Sequence, residues 1–224
     1  MRLKQIFAPR DMTEGPPWQR IAEFAVPMLV GNLAQQLYNT ADSIVVGRYV
    51  GDSALAAVGS AAPILNLLLA FFVGIATGAG IVISQNFGAG NREKLSESIG
   101  NCITLAAIAS LLTTVIGVAV TTPLLRLLET PASIIDWSGG YLHIIFWGVA
   151  GCAFYNILSG ILRGMGDSVS ALGFLLVSTV LNIGLDVWFV AGFDMGVPGV
   201  ALATVLAQGI SAALCLVKLL CMRD

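Results

Sequence analysis

Charged side chains are scarce in this sequence of 224 residues, of which only 11% are Asp, Glu, Lys or Arg. Soluble domains usually carry about 25%. Hydrophobic residues make up 57% of the chain, and so few charges could not keep that much apolar surface soluble. The formal net charge of -2 gives no basic surface for a nucleic acid. These values exclude a soluble enzyme, a disordered chain and a basic nucleic-acid binder, and they indicate a helical membrane protein.

Residue types that carry metal or redox chemistry are also few. The chain has one histidine and four cysteines, and no two cysteines have the C-x-x-C spacing of a metal site or redox motif. There is no nucleophile-base pair and no phosphate-binding loop, so we expect neither an enzyme nor a bound cofactor. The first 20 residues are polar and mixed in charge, which predicts no cleaved signal peptide.

Six apolar stretches are long enough to cross a bilayer, which takes about 20 residues. They cover residues 21–46, 54–84, 99–122, 141–162, 169–191 and 200–220. Residues 1–20 and 221–224 flank them and are predicted to be cytoplasmic. The predicted fold is therefore an all-α, polytopic membrane protein with one six-helix lobe spanning residues 21–220.

The distribution of Lys and Arg predicts the orientation of these spans. With the N-terminus inside, nine basic residues fall in inside segments: Arg2, Lys4, Arg10, Arg20, Arg92, Lys94, Arg163, Lys218 and Arg223. Two, Arg48 and Arg126, fall outside. Because inside loops are enriched in positive residues, this asymmetry places both termini in the cytoplasm. The sequence therefore predicts a multi-pass protein of the plasma (inner) membrane.

Two acidic residues, Asp42 and Asp186, lie deep in predicted spans. A carboxylate at that depth costs about 2.5 kcal/mol or more on insertion scales, so it needs a partner or a function. Asp42 belongs to a polar stripe that occupies roughly 120° of the first helix. The stripe consists of Asn32, Gln35, Gln36, Asn39, Asp42 and Ser43.

The later spans have polar faces of their own. Asn182 and Asp186 are four residues apart, so they lie one turn from each other, and Ser178 continues that face. The sixth span carries Thr204, Gln208 and Ser211, and the fourth carries Asn156 and Ser159. Oxygens of these types suit a small hard cation or a proton, and two neighbouring carboxylates in a low dielectric cannot easily both stay ionised. The alternative is that these side chains only join helices together.

Small residues four apart predict close helix contacts. The two pairs are Gly74 with Gly78 and Gly160 with Gly164. Pro27 lies one to two turns before the polar part of the first helix, where a proline frees a carbonyl and permits a bend.

Five segments in order resemble the multidrug and toxic compound extrusion (MATE) family. They are residues 25–47, 84–91, 156–167, 181–186 and 196–204. The resemblance implies a fold of twelve helices in two six-helix lobes, and export of organic cations in exchange for Na⁺ or H⁺. It implies a coupling site at Asp42, Asn182, Asp186 and Thr204, where Na⁺ could bind. Gln35, Asn39, Asn156 and Ser178 would line the cavity, and Pro27 would be the hinge of the first helix.

This chain has one lobe where the family has two, which leaves three explanations. The chain is a half-length or truncated product, or it pairs with a separate second half, or it forms a homodimer. Expected partners are membrane lipid, an amphiphilic or cationic substrate and a second lobe, with no nucleic acid. A lipid or polysaccharide exporter of the same superfamily is an alternative function, although the predicted membrane interior contains no Lys or Arg to hold anionic groups. A second alternative is that the chain is a non-transporting membrane subunit.

Overall fold

The computed structural model describes residues 16–222, so residues 1–15 and 223–224 of the predicted cytoplasmic segments lie outside the described part. Apart from turns and short connections, this part is helical, and residues 16–222 contain no strand. The helices are α1 (Pro17–Tyr49), α2 (Asp52–Gly88), α3 (Arg92–Leu127), α4 (Ile135–Trp147), α5 (Val149–Gly164), α6 (Ser168–Val187) and α7 (Gly196–Cys221), with a π-helical segment, Trp188–Gly192, after α6.

Four continuous helical stretches in the described residues are long and apolar enough to cross a membrane. They are α2, α3, α6 with its π-helical segment, and α7, and a fifth crossing forms if α4 and α5 count as one broken span. The first predicted span, α1, is 33 residues long but is absent from this set. Its length suffices, and the polar residues between Asn32 and Ser43 lower its apolar content.

The predicted fourth span differs from the structure, which has two helices bent by 51° in its place. The break falls at Gly148, where a Cβ would overlap Val205 of α7, so a glycine is needed for this approach. The Thr114 hydroxyl donates to the Phe146 carbonyl at 3.0 Å and satisfies an acceptor beside the break. The predicted span at 141–162 therefore corresponds to two helices joined at a bend.

Helix α5 lies at the centre of the lobe and packs against α2, α3 and α7, while α1 packs mainly on α6. A Cβ on Gly160 would come within 2.6 Å of the Ala76 carbonyl oxygen, and one on Gly164 within 2.6 Å of the Gly80 oxygen. The predicted close contact at Gly160 and Gly164 is thus confirmed as the α2–α5 seam. A Cβ on Gly74 or Gly78 would meet nothing within 4 Å, so that half of the prediction is wrong.

Candidate functional site

Asp42, Asn182 and Asp186 meet where α1 packs on α6. Asn182 and Asp186 are fully buried and Asp42 is 8% exposed. With its nitrogen toward the carboxylates, the Asn182 amide donates to Asp42 Oδ1 at 2.7 Å and to Asp186 Oδ2 at 3.3 Å. The two carboxyl groups are themselves close enough to hydrogen bond to each other through a proton. One amide thus bridges two acids in an apolar lobe.

Helix α7 brings Thr204 to the same place. The Ser211 hydroxyl donates to the Phe174 carbonyl at 3.2 Å, which fixes how α6 and α7 run past each other. The two helices are antiparallel, and Ser211 is level with Phe174. Thr204 is about two turns before Ser211 in α7, so it lies level with Asn182, which is about two turns after Phe174 in α6. Thr204 Oγ1 is buried. Asp42, Asn182, Asp186 and Thr204 are together called the acid cluster below.

The acid cluster has oxygens that no donor in the described residues satisfies. Asp186 Oδ1 is buried without a hydrogen-bond partner, as are Ser178 Oγ, one turn before Asn182, and Gln208 Oε1, one turn after Thr204. Buried polar atoms normally have partners, so an unsatisfied set calls for an explanation. Carboxylate, amide and hydroxyl oxygens are hard ligands, and this donor set fits a proton or an alkali cation. No group of three or more His, Cys, Asp or Glu that could hold a metal occurs in the described residues.

Two tyrosines adjoin the acid cluster and were not predicted from sequence. Tyr38 and Tyr141 are 5% and 4% exposed, and both lie near Asp42 and Asp186. Tyr38 also lies beside the Thr204 hydroxyl. Tyr38 could have been predicted from the sequence, because it is four residues before Asp42 and so lies on the same helix face. No sequence pattern indicates Tyr141, because it comes from α4, far along the chain.

A cavity of about 960 Å³ is lined by α1, α2, α5 and α6, with Gln208 from α7, which is one turn from Thr204 of the acid cluster. We call it the α1–α2 cavity, since both helices contribute to its wall while α1 packs mainly on α6 and α2 mainly on α5. Gln35, Asn156 and Pro27 line it. Ser178 is instead buried beside the acid cluster, and Asn39 is exposed on the outer face of α1.

Arg163 is a basic side chain that faces the cavity, although it belongs to the group of cations predicted on the cytoplasmic side. It lies in the last turn of α5 and lines the α1–α2 cavity. Its Nη1 donates to Ser159 Oγ at 3.3 Å, one turn back along the helix, so the side chain turns into the lobe. This direction follows from helix geometry, because side chains on a helix point toward its N-terminus.

The MatE family model matches residues 27–188, which include Pro27, the acid-bearing part of α1 and all of α6. The chain belongs to the MatE family. It is 36% identical to a probable multidrug resistance protein, YoeA, of Bacillus subtilis over 85% of this chain, and 32% identical to a second, YpnP, over 90% of it. These matches cover 42% and 45% of the relatives, so the chain spans about half the length of the curated relatives it matches.

Solved structures show the same fold. A MATE crystal structure in the bent conformation superposes with a TM-score of 0.88 at 29% identity, covering 94% of this chain and 47% of that one. An outward-facing MATE transporter of the MOP superfamily gives a TM-score of 0.87, also at 29% identity, covering 94% of this chain and 46% of that one. Family membership and the apolar helices make this a multi-pass membrane protein.

Proposed function

We propose that the chain is the N-terminal lobe of a multidrug exporter in which Na⁺ or H⁺ binding at Asp42, Asn182, Asp186 and Thr204 drives efflux. It is a transporter component rather than an enzyme. The observation that carries the proposal is the Asn182 amide joined to two buried carboxylates, at 2.7 Å and 3.3 Å. Acids inside membrane proteins are costly, and they mark ion pathways and proton relays. The names of the bacterial relatives, which are multidrug resistance proteins, support drug export.

The proposed topology has six spans with both termini in the cytoplasm. Counting α1 and the broken α4–α5 pair with the four apolar stretches gives the six. Arg92, Lys94, Arg163 and Lys218 lie near helix ends on one side, whereas Arg48 and Arg126 lie near ends on the other. The side with more positive residues is assigned to the cytoplasm of the plasma (inner) membrane.

Neutralisation of the acids is the proposed link between ion and substrate. A proton or Na⁺ entering the acid cluster removes the repulsion between Asp42 and Asp186, and it changes how tightly α1 packs on α6. Pro27 lies in α1 on the wall of the α1–α2 cavity, so a bend there would change the cavity shape. Substrate affinity would then fall as the ion binds, which is the requirement for antiport.

A second lobe completes the proposed transporter, because alternating access moves one half against the other. The partner is either a second copy of this chain or a separate six-helix half, and the chain is alternatively half of a longer protein. Organic cations are the substrates the family resemblance implies. The lipid-exporter alternative gains support from one observation, since Arg163 lines the cavity.

The test is ethidium efflux from proteoliposomes that contain two copies of this chain joined by a flexible linker. Efflux should depend on an imposed Na⁺ or pH gradient, and Asp42→Asn in both copies should abolish that dependence. Asp136→Asn is the matched control, because Asp136 is exposed near the start of α4. Gradient-dependent efflux that survives Asp42→Asn would contradict the coupling role.

A further inference from the structure

The α1–α2 cavity has only one charged side chain among the described residues that line it, and that side chain is Arg163. The cavity extends to the end of the lobe where α2 and α5 finish and α6 begins, because Gly88, Gly164 and Ser168 are also in its wall. No Asp or Glu of the described residues is in its lining. The cavity is thus opposite in charge to the neighbouring acid cluster.

Arg163 has no carboxylate within 4.0 Å in the part of the chain that the structure describes. Ser159, at 3.3 Å, accepts from one of its nitrogens. The nearest acid along the chain, Asp167, is engaged elsewhere: it accepts from the Ser170 backbone nitrogen at 2.9 Å and pairs with Lys218 at 3.7 Å. A guanidinium has five N–H donors, so most of those on Arg163 remain available to a ligand in the cavity.

The rest of the cavity wall is largely apolar. Leu69 and Val73 of α2 face Leu172 and Leu175 of α6 across it. The part of the wall that α2 and α6 contribute can therefore cover a hydrocarbon body. A partly buried cation without a counter-ion is costly, and arginine binds carboxylates and phosphates through two parallel hydrogen bonds.

We propose that the α1–α2 cavity binds anionic amphiphiles, with the carboxylate or phosphate on Arg163 and Ser159 and the apolar body between α2 and α6. The anionic group comes from a soluble amphiphile or from a lipid. This site requires neither a coupling ion nor a second lobe, so it stands or falls independently of the proposed antiport.

The test compares two probes that differ only in charge, pyrenebutyrate and the neutral pyrenebutanamide. Binding is measured by pyrene fluorescence with the purified full chain in nonionic detergent, and empty micelles give the background. The carboxylate should bind about tenfold more tightly than the amide, as expected for one charge-assisted contact. Arg163→Gln should remove this preference, and Arg163→Lys should retain part of it.

Two controls separate loss of the site from loss of the fold. Arg92→Gln removes an exposed cation on the same side of the lobe, outside the cavity wall, and should keep the full preference. The neutral amide should bind Arg163→Gln as it binds the wild type, which shows that the cavity is still formed. Equal affinities for the two probes in the wild type, or a preference that survives Arg163→Gln, would overturn the proposal.

Competition distinguishes the two sources of the anionic group. Dihexanoyl phosphatidic acid is added to the pyrenebutyrate complex, with dihexanoylglycerol as the neutral match. Displacement by the phosphatidic acid alone assigns the site to lipid phosphate as well as to carboxylates. No displacement, with the Arg163-dependent preference intact, assigns it to soluble carboxylate amphiphiles.

Discussion

The lobe holds two polar regions, the acid cluster and the α1–α2 cavity, which share helices but differ in exposure, size and charge. The acid cluster is closed and negative, and Asn182 and Asp186 have no exposed surface. The α1–α2 cavity is about 960 Å³ in volume, and the one charged side chain among the described residues that line it is positive. A closed cluster admits only an ion, whereas the cavity admits an organic molecule. The proposed ion and the proposed amphiphile are therefore assigned to separate places in one lobe.

The two regions are nevertheless mechanically connected. Helix α1 gives Asp42 to the cluster and both Pro27 and Gln35 to the cavity. Gln208 of α7 lines the cavity one turn from Thr204. A change in how α1 packs on α6 would therefore alter both the acid cluster and the α1–α2 cavity.

Asn182→Ala should have the largest effect and should separate the two regions. It leaves Asp42 and Asp186 buried without their shared donor, which should lower the free energy of unfolding by about 3 kcal/mol. The preference for pyrenebutyrate over pyrenebutanamide should persist, because Arg163 and Ser159 are in the cavity wall and Asn182 is not. The free energy of unfolding is measured by denaturant titration followed by circular dichroism.

Asn156→Ala is the matched control for Asn182→Ala. Its amide donates to the Cys152 carbonyl at 2.8 Å on the cavity side of α5, and it contacts neither acid in the described structure. We expect a loss of about 1 kcal/mol. Equal losses from the two substitutions would contradict the special status given to the acid cluster.

Gly160→Ala should damage the cavity region and spare the cluster. Its Cβ would lie 2.6 Å from the Ala76 carbonyl oxygen, so α2 and α5 must move apart at a cost of about 2 kcal/mol. Both pyrene probes should bind more weakly because Gly160 is in the cavity wall. Gly184→Ala, with no atom within 4 Å of the new Cβ, should not destabilise the protein. A Gly160→Ala variant as stable as the wild type would show that the seam is not tight.

Asn39→Ala should have the smallest effect. Asn39, which was predicted to line a cavity, is exposed in this lobe and lies outside the wall of the α1–α2 cavity. Its substitution should change the free energy of unfolding by less than about 0.5 kcal/mol and leave binding of both probes unchanged. A larger change would show that the exposed residues of the polar stripe on α1 contribute to the acid cluster or to the α1–α2 cavity.

The sequence predicted the acid cluster better than the cavity, for a physical reason. An acid in an apolar span is conspicuous because it is costly, and the spacing of four between Asn182 and Asp186 fixes a shared helix face. The helical class and a close helix contact at Gly160 and Gly164 also follow from local patterns. None of these conclusions requires knowing which distant helices pack together.

Features that depend on tertiary packing were missed. Periodicity cannot show that α4 and α5 break at Gly148, because the reason is contact with Val205 in α7. Tyr141 reaches the acids from another helix. The polar stripe on α1 was treated as one face, but it divides: Asp42 is buried against α6, whereas Asn39 is exposed.

The central claim is that Asp42 and Asp186, joined by Asn182, take up a proton or Na⁺. It is tested most directly by infrared difference spectroscopy of the purified chain in lipid nanodiscs. Raising the pH, or adding NaCl in place of choline chloride, should change the absorption of protonated carboxyl groups in the wild type. Asp42→Asn should lose that change and Asp136→Asn should keep it. The same spectral change in wild type and Asp42→Asn, or none in the wild type under either condition, would contradict the account.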